Sequence, residues 1–202
     1  MQLSEQQIHR YSRQILLAEV GGRGQSRLLE SGTQVIGDGA AAQDAVVYLA
    51  ASGIRVALGG TVQPGEEGFL ASVADLGRPR AGGLEGTLRD LNPDAIGPQG
   101  NGCVAALPAP FSGDGPWVVI GGRGRRGAIL YRSEKGCEDC FRKNLTGLEA
   151  SPEGVSQVLL GTLVALVFQR LRLNISVDLG GIWVAETGRL SAMGLERCSC
   201  CI

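Results

Sequence analysis

Aromatic side chains make up only 4% of this sequence, so most of its core is expected to come from Leu, Val, Ala and Ile. An excess of charge is also missing. Lys and Arg number 19 against 20 Asp and Glu, a balance that excludes an overall field drawing the chain to nucleic acid or to a membrane surface. Histidine occurs once, as His9, and with no acid or nucleophile partner in view it reads as a surface residue. The most apolar stretch, Val155 to Val167, contains Ser156, Gln157, Gly161 and Thr162. A bilayer span needs about 20 predominantly apolar residues, so a buried helix is expected there instead. The opening MQLSEQQIHRYSRQ is polar and helix-like, unlike a secretory signal. There is no internal repeat and no low-complexity tail. These absences predict a soluble, cytoplasmic protein with no nucleic-acid or membrane partner.

What is abundant is glycine, 32 of 202 residues, in a chain whose length suits one domain. Ser4-Glu5-Gln6-Gln7 has capping-box spacing. Ile8, Tyr11 and Ile15 follow at helical spacing, predicting an amphipathic first helix with Arg10 and Arg13 on its polar side. A glycine-broken turn (Gly21, Gly22, Gly24) precedes a second short helix ending near Ser31-Gly32. Thr33 to Ile36 reads as a strand, Ala40 to Ser52 as its helix closed by Gly53, and Ile54 to Leu58 as a second strand. Thr61 to Gly83 is loop-like, and Leu84 to Leu91 is a short helix stopped by Asn92-Pro93. Further strands are expected at Cys103 to Leu107 and Trp117 to Ile120, followed by a basic glycine loop, Gly121 to Gly127, read as a solvated charged loop ahead of a contact for an anion or an acidic partner segment. A long apolar helix, about Val155 to Leu173, leads to a hairpin of Gly181 to Ala185 and Leu190 to Leu195, turned at Glu186-Thr187-Gly188-Arg189. Alternating strands and helices predict an α/β fold with a doubly wound, mainly parallel Rossmann-like sheet.

Gly37-Asp38-Gly39-Ala40-Ala41-Ala42 fits G-x-G-x-x-A. Gly37 allows the tight turn, Gly39 lets backbone approach a pyrophosphate, and Ala42 lets helix pack on strand. The helix N-terminus would then face the anion. Asp38 works against this use, because a carboxylate about 4–6 Å from a polyphosphate repels it by roughly 1–3 kcal/mol at intermediate dielectric. The second strand ends in Ala57-Leu58-Gly59-Gly60, without the acid that holds ribose hydroxyls in such folds. Glycines that simply pack a βα turn are therefore favoured over a working nucleotide site.

Cys137-Glu138-Asp139-Cys140 is one C-x-x-C, and Cys198 and Cys201 form a second. Two such pairs far apart in sequence are a zinc pattern, since each presents two thiolates to one face of a tetrahedron. A disulfide framework suits an intracellular chain of this size poorly, and unrelated buried thiols are the other alternative. Zinc would staple the C-terminal helix and hairpin to the middle of the chain. Cys200 would be a spare ligand or a free thiol, and Cys103 sits in an expected strand as core. The chain then divides into an N-terminal helical arm (1–32), a Rossmann-like core (33–135) and a zinc-linked C-terminal part (136–202).

Taken together, the run from "LSEQQIHRYSRQ" through "GGRGQ" to the glycine turn, the segment "DLGRPRAGGLEGTLRDLNPDA", the "CEDC" pair and "GGIWVAETGRLSAMGLERCSCC" resemble ubiquitin-activating-type adenylyltransferases. That superfamily includes the ThiF, MoeB and HesA proteins, and the resemblance covers most of the chain as one domain. It implies adenylation of the C-terminal glycine of a ubiquitin-like sulfur carrier with MgATP by a dimeric enzyme. Arg13 matches the arginine that reaches across the dimer toward the partner's ATP phosphates, and Arg80 stands where the family has a phosphate-binding lysine.

The chain departs from the family at other chemical positions. Gly59-Gly60 replaces the ribose-binding acid, and "VQPGEEGFLASVAD" lacks the downstream arginine. Gly121-Gly122-Arg123 stands where a magnesium-contacting aspartate belongs, and "FRKNLTGLEASPEG" has no transfer cysteine. The chain is also shorter than typical members, mostly between Ile120 and Cys137. Adenylation needs cations to spread polyphosphate charge and to orient the α-phosphorus. The resemblance, less these groups, implies a non-catalytic member that keeps zinc, holds MgATP poorly, and binds a ubiquitin-like or sulfur-carrier protein or an active paralogue as a homo- or heterodimer. The alternatives are an active adenylyltransferase drawing acids from Asp75, Glu66 or Glu67, and a site remodelled for a small anion by Arg80 and Arg123 to Arg126.

Overall fold

The computed structural model describes residues 2–37, 39–62, 70–97, 100–109, 115–150, 152, 154–175, 177–199 and 201. The chain opens with α1 (Glu5–Arg10), α2 (Ser12–Ile15) and α3 (Gly21–Glu30). The capping box forms as expected: Gln7 N donates to Ser4 Oγ at 3.2 Å and Ser4 N to Gln7 Oε1 at 3.1 Å. The single first helix is instead two, because Tyr11 breaks it and drives its ring into the core, where it is 1% exposed. The glycines of the expected turn, Gly21 to Gly24, form the first turn of α3 itself.

β1 (Gly32–Ile36), α4 (Ala40–Ala51), β2 (Arg55–Leu58), α5 (Arg80–Gly83), α6 (Glu85–Leu91), β3 (Gly102–Ala106) and β4 (Trp117–Arg123) follow. All lie close to the expected positions except α5, a single helical turn inside the expected loop Thr61 to Gly83, and β4, which runs past the expected Ile120. β5 (Arg126–Arg132), α7 (Glu138–Leu145), α8 (Gln157–Arg172), β6 (Leu179–Ala185) and β7 (Leu190–Ala192) complete the chain. Among the described residues these strands make one seven-stranded sheet in the order β2-β1-β3-β4-β5-β6-β7. β1 to β4 pair in parallel, and β4 to β7 pair antiparallel. The basic glycine loop is therefore a hairpin. Gly121, Gly122 and Arg123 continue β4, and the strand returns as β5 through Gly124-Arg125. From sequence the first part of β4 is expected but β5 is not: Gly121, Gly122 and Gly127 are poor strand formers and mask the turn between the two strands, although Ile129 and Tyr131 favour a strand.

Alternation along the strands sends side chains to two cores. Val104, Ala106, Val118, Ile120 and Ile129 face α4 and α8, while Cys103, Ala105, Trp117, Val119 and Leu130 face Phe141 of α7. Helices thus cover both faces. α8 is capped by Ser156, whose Oγ accepts from Leu159 N. It ends in a Schellman arrangement on Asn174 at φ 58°, with Ile175 N bonded to Arg170 O and Asn174 N to Leu171 O. Between these caps it buries Leu160, Val164, Val167, Phe168 and Leu171, each worth roughly 1.5–3 kcal/mol of apolar burial. Gly161 lets α8 close on α4, because a Cβ there would stand 2.6 Å from Ala41 O.

Candidate metal centre and glycine-turn site

Helix α7 starts at Glu138 with Cys137 as its N-cap residue, so one turn of helix brings the thiols of Cys137 and Cys140 to the same side. The C-terminal segment returns beside it. Asn144 Nδ2 donates to the Glu196 and Cys140 carbonyls at 2.8 and 2.7 Å, and Glu196 N donates to Asn144 Oδ1 at 2.9 Å. Lys143 adds an ion pair to Glu196 at 3.2 Å. One amide side chain thus holds the incoming segment by its backbone and sets Cys198 against Cys140.

The four sulfurs of Cys137, Cys140, Cys198 and Cys201 lie within 4.8 Å of one another. Cys198 Sγ is 3.6 Å from Cys137 Sγ and 3.3 Å from Cys140 Sγ. A disulfide needs sulfurs about 2.05 Å apart, and these cysteines are not joined by one. Tetrahedral thiolates about 2.3 Å from zinc stand roughly 3.8 Å from each other, so the donor set fits that ion. Cys198 N also donates to Cys140 Sγ at 3.2 Å, a second-sphere bond that favours a thiolate ligand. Cys140 is buried, Cys137 and Cys198 half-buried, and Cys201 exposed. The four thiols can hold a metal ion of zinc type; Cys200 lies outside the described residues, and Cys103 is core as expected.

Beside the cluster, Phe141 packs on Trp117 with ring centroids 5.4 Å apart, and the guanidinium of Arg132 stands 4.3 Å from the Trp117 centroid. A metal at the four thiols would therefore brace α7 and, through Phe141, the second core.

The glycine turn is built as its spacing implies. Gly37 and Gly39 take φ of 105° and 104°, and Gly39 is the N-cap of α4. A Cβ on Gly37 would fall 2.4 Å from Ala106 O, whereas one on Gly39 would meet nothing within 4 Å. Ala42 is buried under the helix. Asp38 lies outside the described residues, as do Glu66 and Glu67.

Arg80 occupies this site. It is 5% exposed, and its Nη1 donates to Gly37 O at 2.8 Å and Gly59 O at 3.1 Å, joining the ends of β1 and β2. Leu70 and Leu84 are buried beside it. The space enclosed by Val35, Gly37, Ala42, Val46, Leu70 and Arg80 is about 10 Å³, no more than one water requires.

Gly121 and Gly122 are shut from another side. Gly122 exchanges backbone hydrogen bonds with Glu149 at 2.8 and 2.9 Å, and a Cβ on Gly121 would stand 2.9 Å from Glu149 O. Asp75 caps its own short turn, accepting from Ser72 N and Oγ at 2.9 and 2.7 Å, and these two bonds lower its pKa. Arg123 donates to the Gly147 and Thr146 carbonyls, and Arg125 makes a two-pronged pair with Glu186. The expected anion loop thus spends two arginines on its neighbours, and only Arg126 is exposed without such a bond among the described residues.

The R-Y-S-R-Q stretch divides its work. Arg10 pairs with Asp94, and Tyr11 hydrogen-bonds Asn92 and Asp94, so these residues dock the arm on the Asn92-Pro93-Asp94 corner. Arg13 remains exposed on α2, and His9 is exposed on α1. From sequence, Asn92-Pro93 is a helix stop, and nothing local signals that Asn92 and Asp94 dock the arm, because their partners Arg10 and Tyr11 lie more than 80 positions away. No helix among the described residues is long and apolar enough to cross a membrane.

Comparison with known proteins places these features. No protein-family model matches the chain. It is 36% identical over 99 residues to the SAMP-activating enzyme E1 of Haloferax volcanii, covering 46% of this chain and 37% of that protein. It is 31% identical over 102 residues to the sulfur carrier protein ThiS adenylyltransferase of Escherichia coli, covering 46% of this chain and 39% of that one. The matched stretches thus span well under half the length of these relatives. In structure it superposes on Escherichia coli MccB with a TM-score of 0.72 at 16% identity, over 95% of this chain and 73% of MccB.

Proposed function

Because this chain is a ThiF/MoeB-like member of the ubiquitin-activating-type adenylyltransferase superfamily, we propose that it is a non-catalytic one. On this reading it is a binding or scaffolding subunit for a ubiquitin-like or sulfur-carrier protein, or for an active paralogue, and its own nucleotide site is closed. The observation that carries the reading is Arg80. A phosphate-binding cation would reach outward over the helix N-terminus; this guanidinium instead turns inward and spends Nη1 on two backbone carbonyls. Leu70 and Leu84 pack beside it, and the space they enclose with Val35, Ala42 and Val46 is only about 10 Å³, so the guanidinium is held inside the fold.

The glycines at 121 and 122 support the same reading. An aspartate in either place would collide with the segment that carries Glu149, so the position matched to a magnesium contact admits no carboxylate. The four thiols would hold zinc as a structural ion, drawing the C-terminal segment to α7. Arg13, exposed on the docked arm, is free to reach a second subunit, which fits a half-site donor in a homo- or heterodimer.

Calorimetric titration of MgATP into the purified chain tests the proposal. No heat of binding is expected up to about 1 mM nucleotide, and a micromolar dissociation constant would overturn the reading.

A further inference from the structure

A second cavity lies at the end of the sheet opposite the glycine turn. β1 and β4 run in the same sense through β3; Gly37 follows the C-terminal end of β1, whereas Pro116 precedes the N-terminal end of β4. By the strand register Gly37 is level with Ile120, so Pro116 lies roughly 13 Å further down the sheet. At the far end Pro116, Ser133, Glu134, Lys135, Arg172 and Asp178 line a space of about 310 Å³. That is at the small end of ligand sites, about 300–1,000 Å³. Four of the six groups are charged, two of each sign, so the space suits a small polar molecule of no net charge.

The charged groups are set in place before any ligand arrives. Arg172 Nη1 donates to Glu134 Oε1 at 3.0 Å, and Asn101 Nδ2 donates to the same oxygen at 3.1 Å. Arg172 Nη2 is held by Asn101 Oδ1 at 2.7 Å, and burial lowers the pKa of this guanidinium. Ser133 Oγ donates to Asp178 Oδ1 at 2.6 Å. Each carboxylate is thus fixed through one oxygen. Among the described residues, Glu134 Oε2, Asp178 Oδ2 and the Lys135 ammonium make no hydrogen bond, and they are the groups with capacity left. The fold needs none of these three for its own backbone.

We infer that this cavity binds a small zwitterion of the α-amino-acid class, its ammonium between Glu134 and Asp178 and its carboxylate on Lys135. The charge pattern carries the inference: a simple anion would meet two fixed carboxylates, and a simple amine would meet Lys135 and Arg172. The site is independent of the nucleotide site and of the function proposed above.

Thermal-shift screening of the full chain against the standard α-amino acids, followed by calorimetry, tests it. At least one free amino acid should bind with a dissociation constant below about 1 mM, while its N-acetyl and carboxamide derivatives should not. Asp178→Asn and Lys135→Ala should each weaken binding by about tenfold or more without moving the melting temperature of the unliganded chain, since both side chains are exposed. The inference fails if no free amino acid binds at about 10 mM, if the N-acetyl or carboxamide form binds equally well, or if both variants bind like the parent.

Discussion

Tyr11 and Asn92 meet 81 positions apart: the Asn92 amide donates to Tyr11 Oη at 2.9 Å, and the same hydroxyl donates to Asp94 Oδ2 at 2.9 Å. Asn92 also reaches Ala50 O at 2.7 Å. One buried amide therefore ties the N-terminal arm to the end of α4, and it is this contact that puts Arg13 on a fixed surface.

The Tyr11 phenol should make stability pH-dependent at the alkaline end. Burial is the main cause that pushes its pKa up, from 10.0 to about 12. A raised folded-state value means the contribution is complete below pH 10 and is lost as pH rises through about 12. Urea unfolding measured between pH 9 and 12 should show that loss, and Tyr11→Phe should flatten it (roughly pH 10–12). At neutral pH the same variant should cost about 1–2 kcal/mol for the partners left unsatisfied.

Arg80→Ala distinguishes a structural arginine from a phosphate ligand. Removing a buried guanidinium that serves two carbonyls should destabilise the chain by roughly 2–4 kcal/mol. Equilibrium denaturation measures this. An unchanged midpoint would mean that Arg80 is not holding the ends of β1 and β2 together.

The two glycines of the turn should respond unequally to alanine. Both sit at positive φ, so each substitution carries strain of about 1–3 kcal/mol. Gly37→Ala also drives a methyl to 2.4 Å from Ala106 O, whereas Gly39→Ala meets open space. Thermal melts should rank Gly37→Ala as clearly the worse, with insoluble expression as its extreme.

Metal removal should loosen the C-terminal part. The chain should carry one zinc, released when the thiols are titrated with a mercurial and read with a colorimetric chelator. Stripping the ion, or Cys140→Ser, should lower the melting temperature by roughly 5–10 °C. Because Phe141 of α7 packs on Trp117, tryptophan fluorescence should change in step with zinc loss. A chain that holds no zinc, or that melts unchanged without it, would remove the staple from the account.

Much of this protein could be read from local pattern. Apolar alternation and glycine punctuation placed β1, α4, β2, β3 and α8 within a residue or two, because those signals depend on neighbours in sequence. The two C-x-x-C pairs marked the metal cluster for the same reason: each pair is a local turn, and thiols have few other uses at that spacing. Folding alone decided what the remaining side chains do. Arg80 reads as a phosphate-site cation until Gly37 and Gly59 are brought to it, 43 and 21 positions away. Gly121 to Gly127 reads as a loop until β6 and the Glu149 segment close on it. The sequence by itself thus determined which segments are strands, helices and thiol turns. Only the tertiary structure decided which polar groups face solvent and which are consumed inside, because burial depends on what packs there from elsewhere in the chain.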